Sequence, residues 1–317
     1  MTVRLRPLLV GTATYLPGLR HLTARRTGGT ASARYCYSVW LRHLVMAHTN
    51  GIDTRFDTVA ELGPGDSLGM GIAALLSGAQ RYRALDVVRY AERASNIAIL
   101  DELVEFFRSR APIPGEDEFP LVKPLLPSYD FPHHILTDER LAVALDPQRL
   151  ASLRDALHAL DEPDTETPCI SYVVPWNGAG GIKRASVDFI FSQAVLQYPP
   201  DLDMTYRAMD RWLKPGGAMS HDIDFKCHGT TREWSGHWTC SDNAWSLVNG
   251  RRRDALNRAP HSAHIGLIRD LGCEIVCDQW TELPVAITRA QLAPHFRHLT
   301  DDDLAISSAF IQARKPL

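Results

Sequence analysis

The sequence predicts an α/β protein with a doubly wound, mostly parallel sheet, and three observations carry that reading. Val59 to Gly69 runs from an apolar strand stub through an acid into closely spaced glycines, and an apolar helix-like run, Met70 to Leu76, follows at once. Such a sheet opens a ligand site in this order of strand, glycine turn and helix, at the carboxyl end of its first strand. Strand-length apolar runs then alternate with stretches of helical period, as βαβ units require. Val187 to Phe191 is too apolar to have a wet face, which suits a parallel strand buried on both sides.

Taken in order, Ala33 to His48 places Tyr37, Trp40, Leu41, Leu44 and Val45 at helical spacing, and Asn50-Gly51 ends that helix. Arg55 to Leu62 reads as the first core strand, and Tyr82 to Val88 as the second. Ala91 to Arg110 is a helix with Ile97, Leu100, Leu103, Val104 and Phe107 on one face. Six prolines then punctuate Ala111 to His134, where regular structure can hardly persist, and a helix follows from Pro147 to Leu160. Residues 111–167 therefore read as an insertion folded as a lid over the ligand crevice. The core resumes with strands at Cys169 to Val174 and Val187 to Phe191, then an amphipathic helix at Leu202 to Leu213. Lys214-Pro215-Gly216-Gly217 reads as a turn into a strand at Ala218 to Phe225. His261 to Leu271 is a helix, and Cys273 to Gln279 and Ile306 to Ala313 are the last strands.

A chain of 317 residues holds one elaborated α/β domain or two small ones. The expected division is a leader and helical cap over residues 1–54 and a single catalytic domain over 55–317. A formal charge of -3 gives no basic face of the kind nucleic acid needs. Six scattered cysteines without a C-x-x-C pair suit a reduced, cytoplasmic compartment. Met1 to Leu22 is broken by Pro7, Gly11 and Pro17, so it offers no continuous apolar core for membrane insertion and reads as a loosely packed leader.

The glycine turn does not match the common nucleotide fingerprints. Gly63 and Gly65 fit G-x-G-x-x-G, but Leu68 stands where its third glycine belongs. Gly65, Gly69 and Gly71 meet the spacing of short-chain reductases, yet no Tyr-x-x-x-Lys exists to carry their proton. A P-loop lysine is also absent. Glu61 stands just before the turn and Asp86 at the end of the second strand. About 20 residues past such a turn, a carboxylate can accept both ribose hydroxyls. The alternative for Asp86 is a plain helix N-cap.

Glu61-Leu62-Gly63-Pro64-Gly65-Asp66-Ser67, Leu85-Asp86-Val87, Val187 to Leu196 and Trp212-Leu213-Lys214-Pro215-Gly216-Gly217 together resemble class I S-adenosylmethionine (SAM)-dependent methyltransferases. The likeness runs from about Phe56 to Ala313 and extends to bacterial members associated with polysaccharide or secondary-metabolite biosynthesis. It implies a seven-stranded sheet with a reversed last strand, supplied by Leu271 to Val276 and Ala309 to Ala313. It further implies that Glu61, Gly63, Pro64, Gly65 and Ser67 cradle the methionine portion, that Asp86 and Val87 meet the nucleoside, and that Ser192, Gln193 and Ala194 lie near the sulfonium. Trp176 stands where the family has a small or acidic residue; it can stack on adenine or cap the fold.

The fifth strand, Ser220 to His228, carries polar residues where a buried parallel strand should be apolar. His221 is the expected general base, with Asp224 and His228 as rivals and Asp222 near the substrate. The structural alternative is a satisfied His221–Asp222 pair. Trp234, His237, Trp238 and Trp245 cluster as either an aromatic platform for a sugar or ring, or a loop packed on the sheet. Tyr35 can close the same pocket. Metal-dependent relatives want an acid where this chain has Ser192, so no metal is expected. The expectation is O-methylation of a small molecule or saccharide by a protein that the sequence allows to be a homodimer. Rival readings are N-methylation, an NAD(P)-dependent oxidoreductase and a non-catalytic SAM-binding module.

Overall fold

The computed structural model describes residues 3–16, 29–160, 169–178, 180–252 and 255–317. In chain order its elements are α1 (Leu5–Ala13), α2 (Ala33–Thr49), β1 (Thr58–Leu62), α3 (Gly69–Leu76), β2 (Arg81–Leu85), α4 (Arg93–Ser109), α5 (Asp138–Ala144) and α6 (Pro147–Ala159). They continue with β3 (Ile170–Val173), β4 (Val187–Gln193), α7 (Leu202–Trp212), β5 (Leu213–Asp224), α8 (Asp242–Asn249), α9 (His261–Asp270), β6 (Glu274–Glu282), α10 (Asp301–Ala305) and β7 (Ile306–Arg314). The seven strands form one sheet in the order β3-β2-β1-β4-β5-β7-β6. β1 to β5 pair in parallel, and β7 runs antiparallel to both β5 and β6. The classical dinucleotide fold has the order 3-2-1-4-5-6 with no reversed strand inserted, so this topology is a different one.

The period of two along the buried strands sorts their side chains onto two cores. Val59, Phe189, Phe191, Ala218 and Phe310 face α2, α3 and α4. Ala60, Leu62, Ile190, Met219 and Ile223 face α7 and α9. Two helical glycines permit close packing on the first face. A Cβ on Gly71 would meet the Tyr82 ring at 2.0 Å, and one on Gly69 would meet the Cys36 sulfur at 2.5 Å.

Element boundaries depart from the periodicity where side chains displace the ladder. β1 starts at Thr58 instead of Arg55, because the backbone N–H groups of Asp57 and Thr58 donate to the Asp188 carboxylate at 3.0 and 2.8 Å. Lys214 to Gly217 lies within β5 as an irregular stretch: Val187 pairs Leu213 and Phe189 pairs Ala218, with Gly216 at φ +76. Helices α1, α5, α8 and α10 have no counterpart in the sequence reading. They are short, and caps such as Thr137, Ser241 and Thr300 start the last three.

The N-terminal stretch corrects an expectation. Far from loose, α1 docks on α8: a Cβ on Gly11 would lie 2.2 Å from the Val248 carbonyl, and the Arg251 N–H donates to Thr14 Oγ1 at 2.8 Å. Residues 17–22 of that expected leader lie outside the described residues.

The Pro-rich segment packs on the α2 face and buries Ile113, Val122, Leu126, Phe131 and Ile135 there. Its anchor is Arg42 of α2, fully buried. Arg42 donates to Val122 O and Pro124 O at 2.7 and 2.9 Å, to Pro114 O at 3.1 Å and to Ser38 Oγ at 3.1 Å. Residues 161–167 of the expected insertion are likewise outside the described ones.

Candidate functional site

The carboxyl ends of β1, β2 and β4 meet at the glycine turn. Gly63 (φ +66) and Gly65 (φ +74) adopt the left-handed backbone that side chains resist. A Cβ on Gly63 would lie 2.6 Å from Val195, so only bare backbone fits there. Asp86 ties the second strand to this turn. Its Oδ1 accepts from Val87 N–H at 2.7 Å and Val88 N–H at 3.3 Å, and its Oδ2 accepts from Gly65 N–H at 3.4 Å. Burial pushes this carboxyl up, while those three N–H groups hold it down. Beside it Val87 is 45% exposed, an apolar surface at the lip of the crevice. No α-helix starts at Asp86, since α4 begins only at Arg93.

Other predicted cofactor residues sit differently. Glu61 is wholly buried beneath the turn, where it accepts a hydrogen bond from the Tyr82 hydroxyl. Burial pushes Glu61 up to about 8 against that hydrogen bond. Pro64 is buried between the two glycines. Ser67 donates to the Thr30 carbonyl and accepts from Gly69 N–H at 3.0 Å, and Asp66 N–H donates to Thr30 Oγ1 at 2.8 Å. Ser67 thus binds the segment before α2 to the glycine turn. Trp176 donates its backbone N–H to Asp86 O at 2.7 Å, but its ring turns to Trp212 of α7, centroids 5.5 Å apart.

The ends of β4 and β5 divide by face. On the α2 side, Gln193 donates Nε2–H to Asp222 Oδ2 at 2.8 Å, and its Oε1 lies 3.1 Å from His43 Nε2. Asp222 Oδ1 is buried without a hydrogen-bond partner. Burial, then the charge of Asp224, pushes Asp222 up to about 7, and Lys226, Lys123 and Arg42 pull the other way. Tyr35 lies close enough to Asp222 that burial, and then that carboxylate's charge, raises its hydroxyl. Ala194, at φ +54, donates its N–H to Asp222 O at 2.9 Å.

On the opposite side lie Ser192 and His221, 2.8 Å apart through Oγ and Nδ1 and both fully buried. The His221 ring packs 6.3 Å from Tyr206 of α7, and burial with the neighbouring His43 and His264 brings it down to about 3. The alternative reading, a hydrogen-bonded pair of His221 with Asp222, does not form, because adjacent strand residues point to opposite faces.

Further along, Asp224 accepts from His228 Nε2 at 3.2 Å and from Lys226 Nζ at 2.8 Å. Burial raises Asp224, but these partners outweigh it and the carboxyl is lowered overall. The aromatic cluster takes the packed alternative instead of the open platform. His237 and Trp238 are buried with ring centroids 4.5 Å apart, and Trp238 joins Ile287, Leu292, Phe296 and Leu299 in a small core.

One cleft was not legible in the sequence. Lys123, Pro124 and Leu125 of the insertion face Gln279, Trp280 and Phe310 across a cavity of about 140 Å³, with Trp280 51% exposed. Asp222 is the cross-strand partner of Phe310, which puts the carboxylate one strand inward from this cleft. Among the described residues, no three His, Cys, Asp or Glu side chains gather as a metal site, and no helix is long and apolar enough to cross a membrane.

Sheet order, reversed β7 and a glycine turn at the carboxyl end of β1 give a Rossmann-like sheet of the kind methyltransferases use. Residues 143–220 match the family described as a methyltransferase domain, a span from α5 into β5 that begins after the glycine turn. No curated protein matches the sequence. Among solved structures, the chain is similar to a SAM-dependent methyltransferase of Methanosarcina mazei, at 13% identity over 86% of this chain and 97% of that one, TM-score 0.43. A second is a SAM-dependent methyltransferase of Mesorhizobium loti, at 12% identity over 90% and 100%, TM-score 0.42. A third is phosphoethanolamine N-methyltransferase 2 of Haemonchus contortus in complex with SAM, at 12% identity over 95% of this chain and 61% of that one, TM-score 0.45.

Proposed function

We propose that this methyltransferase acts on a hydroxyl of a small molecule or saccharide, with Asp222 as the proton acceptor. The observation that carries the reading is the buried, unpartnered Oδ1 of Asp222, one strand inward from the Lys123–Trp280 cleft, on a carboxyl pushed up to about 7. A base whose proton affinity lies near working pH is both ionised and basic enough to take a hydroxyl proton.

The crevice suits the donor. Bare backbone at Gly63 and Gly65 receives its methionine portion, the Asp86 carboxylate its ribose hydroxyls, and Val87 its adenine. SAM supplies a methyl group already activated for transfer. Glu61 and Ser67 support this cradle from beneath and from the α2 side without touching the donor. Gln193 and Ala194 line the end of β4, while Ser192 serves the far core. Trp176 caps the fold over α7.

The protein's own part is alignment, exclusion of water and removal of one proton. Alignment of two reactants supplies about 7–11 kcal/mol, and a well-placed base about 10²–10⁴-fold. The insertion, held by Arg42, forms the outer wall of the cleft and works as the lid. In the wall, Lys123 and Trp280 offer a cation and an aromatic face to the acceptor, and Tyr35 closes the pocket from α2. His221 is too deeply buried on the far face to meet substrate. Asp224 and His228 form a surface pair that keeps Asp224 ionised and so raises Asp222.

The acceptor is found by incubating the protein and deuteromethyl-labelled SAM with a cell extract and reading the labelled product by mass spectrometry. On that acceptor, Asp222→Asn is expected to lower kcat about 10²-fold while SAM affinity stays within a few-fold. Full turnover by Asp222→Asn would overturn the assignment.

A further inference from the structure

A chain of polar side chains, half-buried at Gln193 and fully buried from His43 onward, leads away from Asp222. Gln193 Nε2 lies 2.8 Å from Asp222 Oδ2, and Gln193 Oε1 lies 3.1 Å from His43 Nε2. His43 Nδ1 lies 2.7 Å from Ser220 Oγ, and Gln312 lies 3.0 Å from the same oxygen. His43, Ser220 and Gln312 are fully buried, and the His43 ring packs between Phe191 and Phe310 at 5.4 and 5.2 Å.

Every link constrains the next. An ionised carboxylate only accepts, so Gln193 must turn its NH₂ to Asp222 and its oxygen to His43. His43 must then carry its hydrogen on Nε2 and accept on Nδ1 from the Ser220 hydroxyl. That leaves the Ser220 oxygen to accept from the Gln312 NH₂. Burial brings His43 down to about 4, so a neutral ring with one donor and one acceptor is what occupies the site near pH 7.

A second arrangement satisfies the links from Asp222 to Gln312, at the loss of the Gln193 Nε2–H donation to Lys123 O at 3.5 Å and of the Asn50 Nδ2–H donation to Gln312 Oε1 at 2.9 Å. Gln312 fits with its amide swapped, its oxygen accepting from Ser220 Oγ at 3.0 Å. Ser220 then accepts from His43 Nδ1–H, and His43 Nε2 accepts from the Gln193 NH₂. The Gln193 oxygen now faces Asp222, which fits only if Asp222 is protonated and donates. Mixed arrangements oppose donor to donor or acceptor to acceptor in a buried site, at about 1–3 kcal/mol for each unsatisfied group.

We propose that Gln193, His43, Ser220 and Gln312 form a chain with two concerted polarities, one for each charge state of Asp222, and that His43 is the positioning residue that sets the carboxylate's proton affinity. The inference rests on Asp222 being the group that titrates at the site. With Asp222 ionised, the chain delivers an N–H to it; on proton uptake, both amides turn over and His43 changes tautomer. The proton stays on Asp222 and no bond to carbon is involved. Other groups also bear on Asp222: Tyr35 and Arg42 from α2, Lys123 from the insertion, and Asp224 and Lys226 just beyond it. His43 and Gln193 are therefore one influence among several, separable by mutation.

The test needs neither donor nor acceptor. ¹⁵N-histidine spectra of the full chain are recorded across pH, with His43 assigned by comparison with His43→Gln, and Asp222 is followed through its ¹³C carboxyl shift. The expected result is that His43 carries hydrogen on Nε2 above the Asp222 midpoint and on Nδ1 below it. His43→Phe keeps the ring packing, removes both nitrogens and is expected to raise the Asp222 midpoint by about 0.5–1 unit. On an identified acceptor, that shift moves the acid limb of kcat/KM equally and lowers activity about 3–10-fold below the midpoint. His43→Gln, whose amide nitrogen can reach the Nε2 position, is expected to restore most of it. Should His43→Phe fail to fold, Ser220→Ala is expected to move the midpoint in the same direction by less. A single His43 tautomer throughout, with an unmoved Asp222 midpoint in the variants, would overturn the inference. Failure of Asp222→Asn to slow turnover would instead remove the catalytic reading, and the coupling seen by NMR would stand.

Discussion

Replacing Arg42 by methionine isolates the contact that holds the Pro-rich insertion on the body of the protein. The guanidinium is fully buried, and its hydrogen-bond partners are neutral: Ser38 Oγ and the carbonyls of Pro114, Val122 and Pro124. Its carbon also lies 5.0 Å over the Tyr129 ring. Hydrogen bonds from a charged donor contribute about 1.5–3 kcal/mol each, and three buried carbonyls lose their donor in the variant. Against this stands the cost of keeping an uncompensated cation out of water, which offsets much of the gain. The net loss expected for Arg42→Met is about 2–4 kcal/mol. Arg42→Lys keeps the charge but cannot span three carbonyls with one ammonium, so it should fall between. Urea denaturation gives the global figure, and hydrogen exchange gives the location. The amides of Ile113 and Val122, which donate to Tyr129 O and Phe119 O, should exchange faster, while β1 and β4 exchange as before at equal global stability. Turnover should fall as well, since Lys123 to Leu125 wall the cleft. Unchanged exchange at 113–126 would refute the claim that this side chain anchors the insertion.

Gly63→Ala forces a side chain into the left-handed region and to within 2.6 Å of Val195; it should weaken SAM binding tenfold or more by titration calorimetry, about 1.4 kcal/mol, and Val195→Ala should recover the steric part only. His221→Asn preserves a hydrogen bond to Ser192 on the far face, so turnover should stay within about twofold while stability falls by about 1 kcal/mol; a tenfold loss of kcat in folded protein would return His221 to the mechanism. Glu61 is raised to about 8 in the fold. Between the ordinary carboxylate range and that value the unfolded chain has already lost this proton and the native state has not. The Glu61 contribution to stability therefore falls as pH rises through that window. Glu61→Gln should remove this part of the slope, read as urea midpoints at pH 5 and pH 8; an unchanged slope would show that Glu61 ionises freely.

Much of the architecture was readable because periodicity is a one-dimensional record of burial. Strands such as Val187–Gln193 and helices such as α4 and α7 follow from patterns that any neighbour of the right kind satisfies. Short helices escaped for the opposite reason: α1 and α8 are held by each other, and neither pattern is strong alone. The glycine turn was equally legible, since Gly63, Gly65 and Asp86 come together through backbone conformation and a fixed distance along the chain. The arrangement of the polar ends of β4 and β5 was not. Sequence proximity linked His221 to Asp222, whereas a strand sends neighbours to opposite faces.

By itself the sequence determined the α/β class, the glycine turn with its carboxylate, and a Pro-rich excursion that cannot be regular. Only the tertiary structure decided which polar residues share a site. Gln193 joins Asp222 to His43, 179 positions earlier in the chain, one strand inward from a wall made of Lys123 and Trp280. Those meetings depend on strand order and helix docking, which combine distant segments in ways that local composition does not encode.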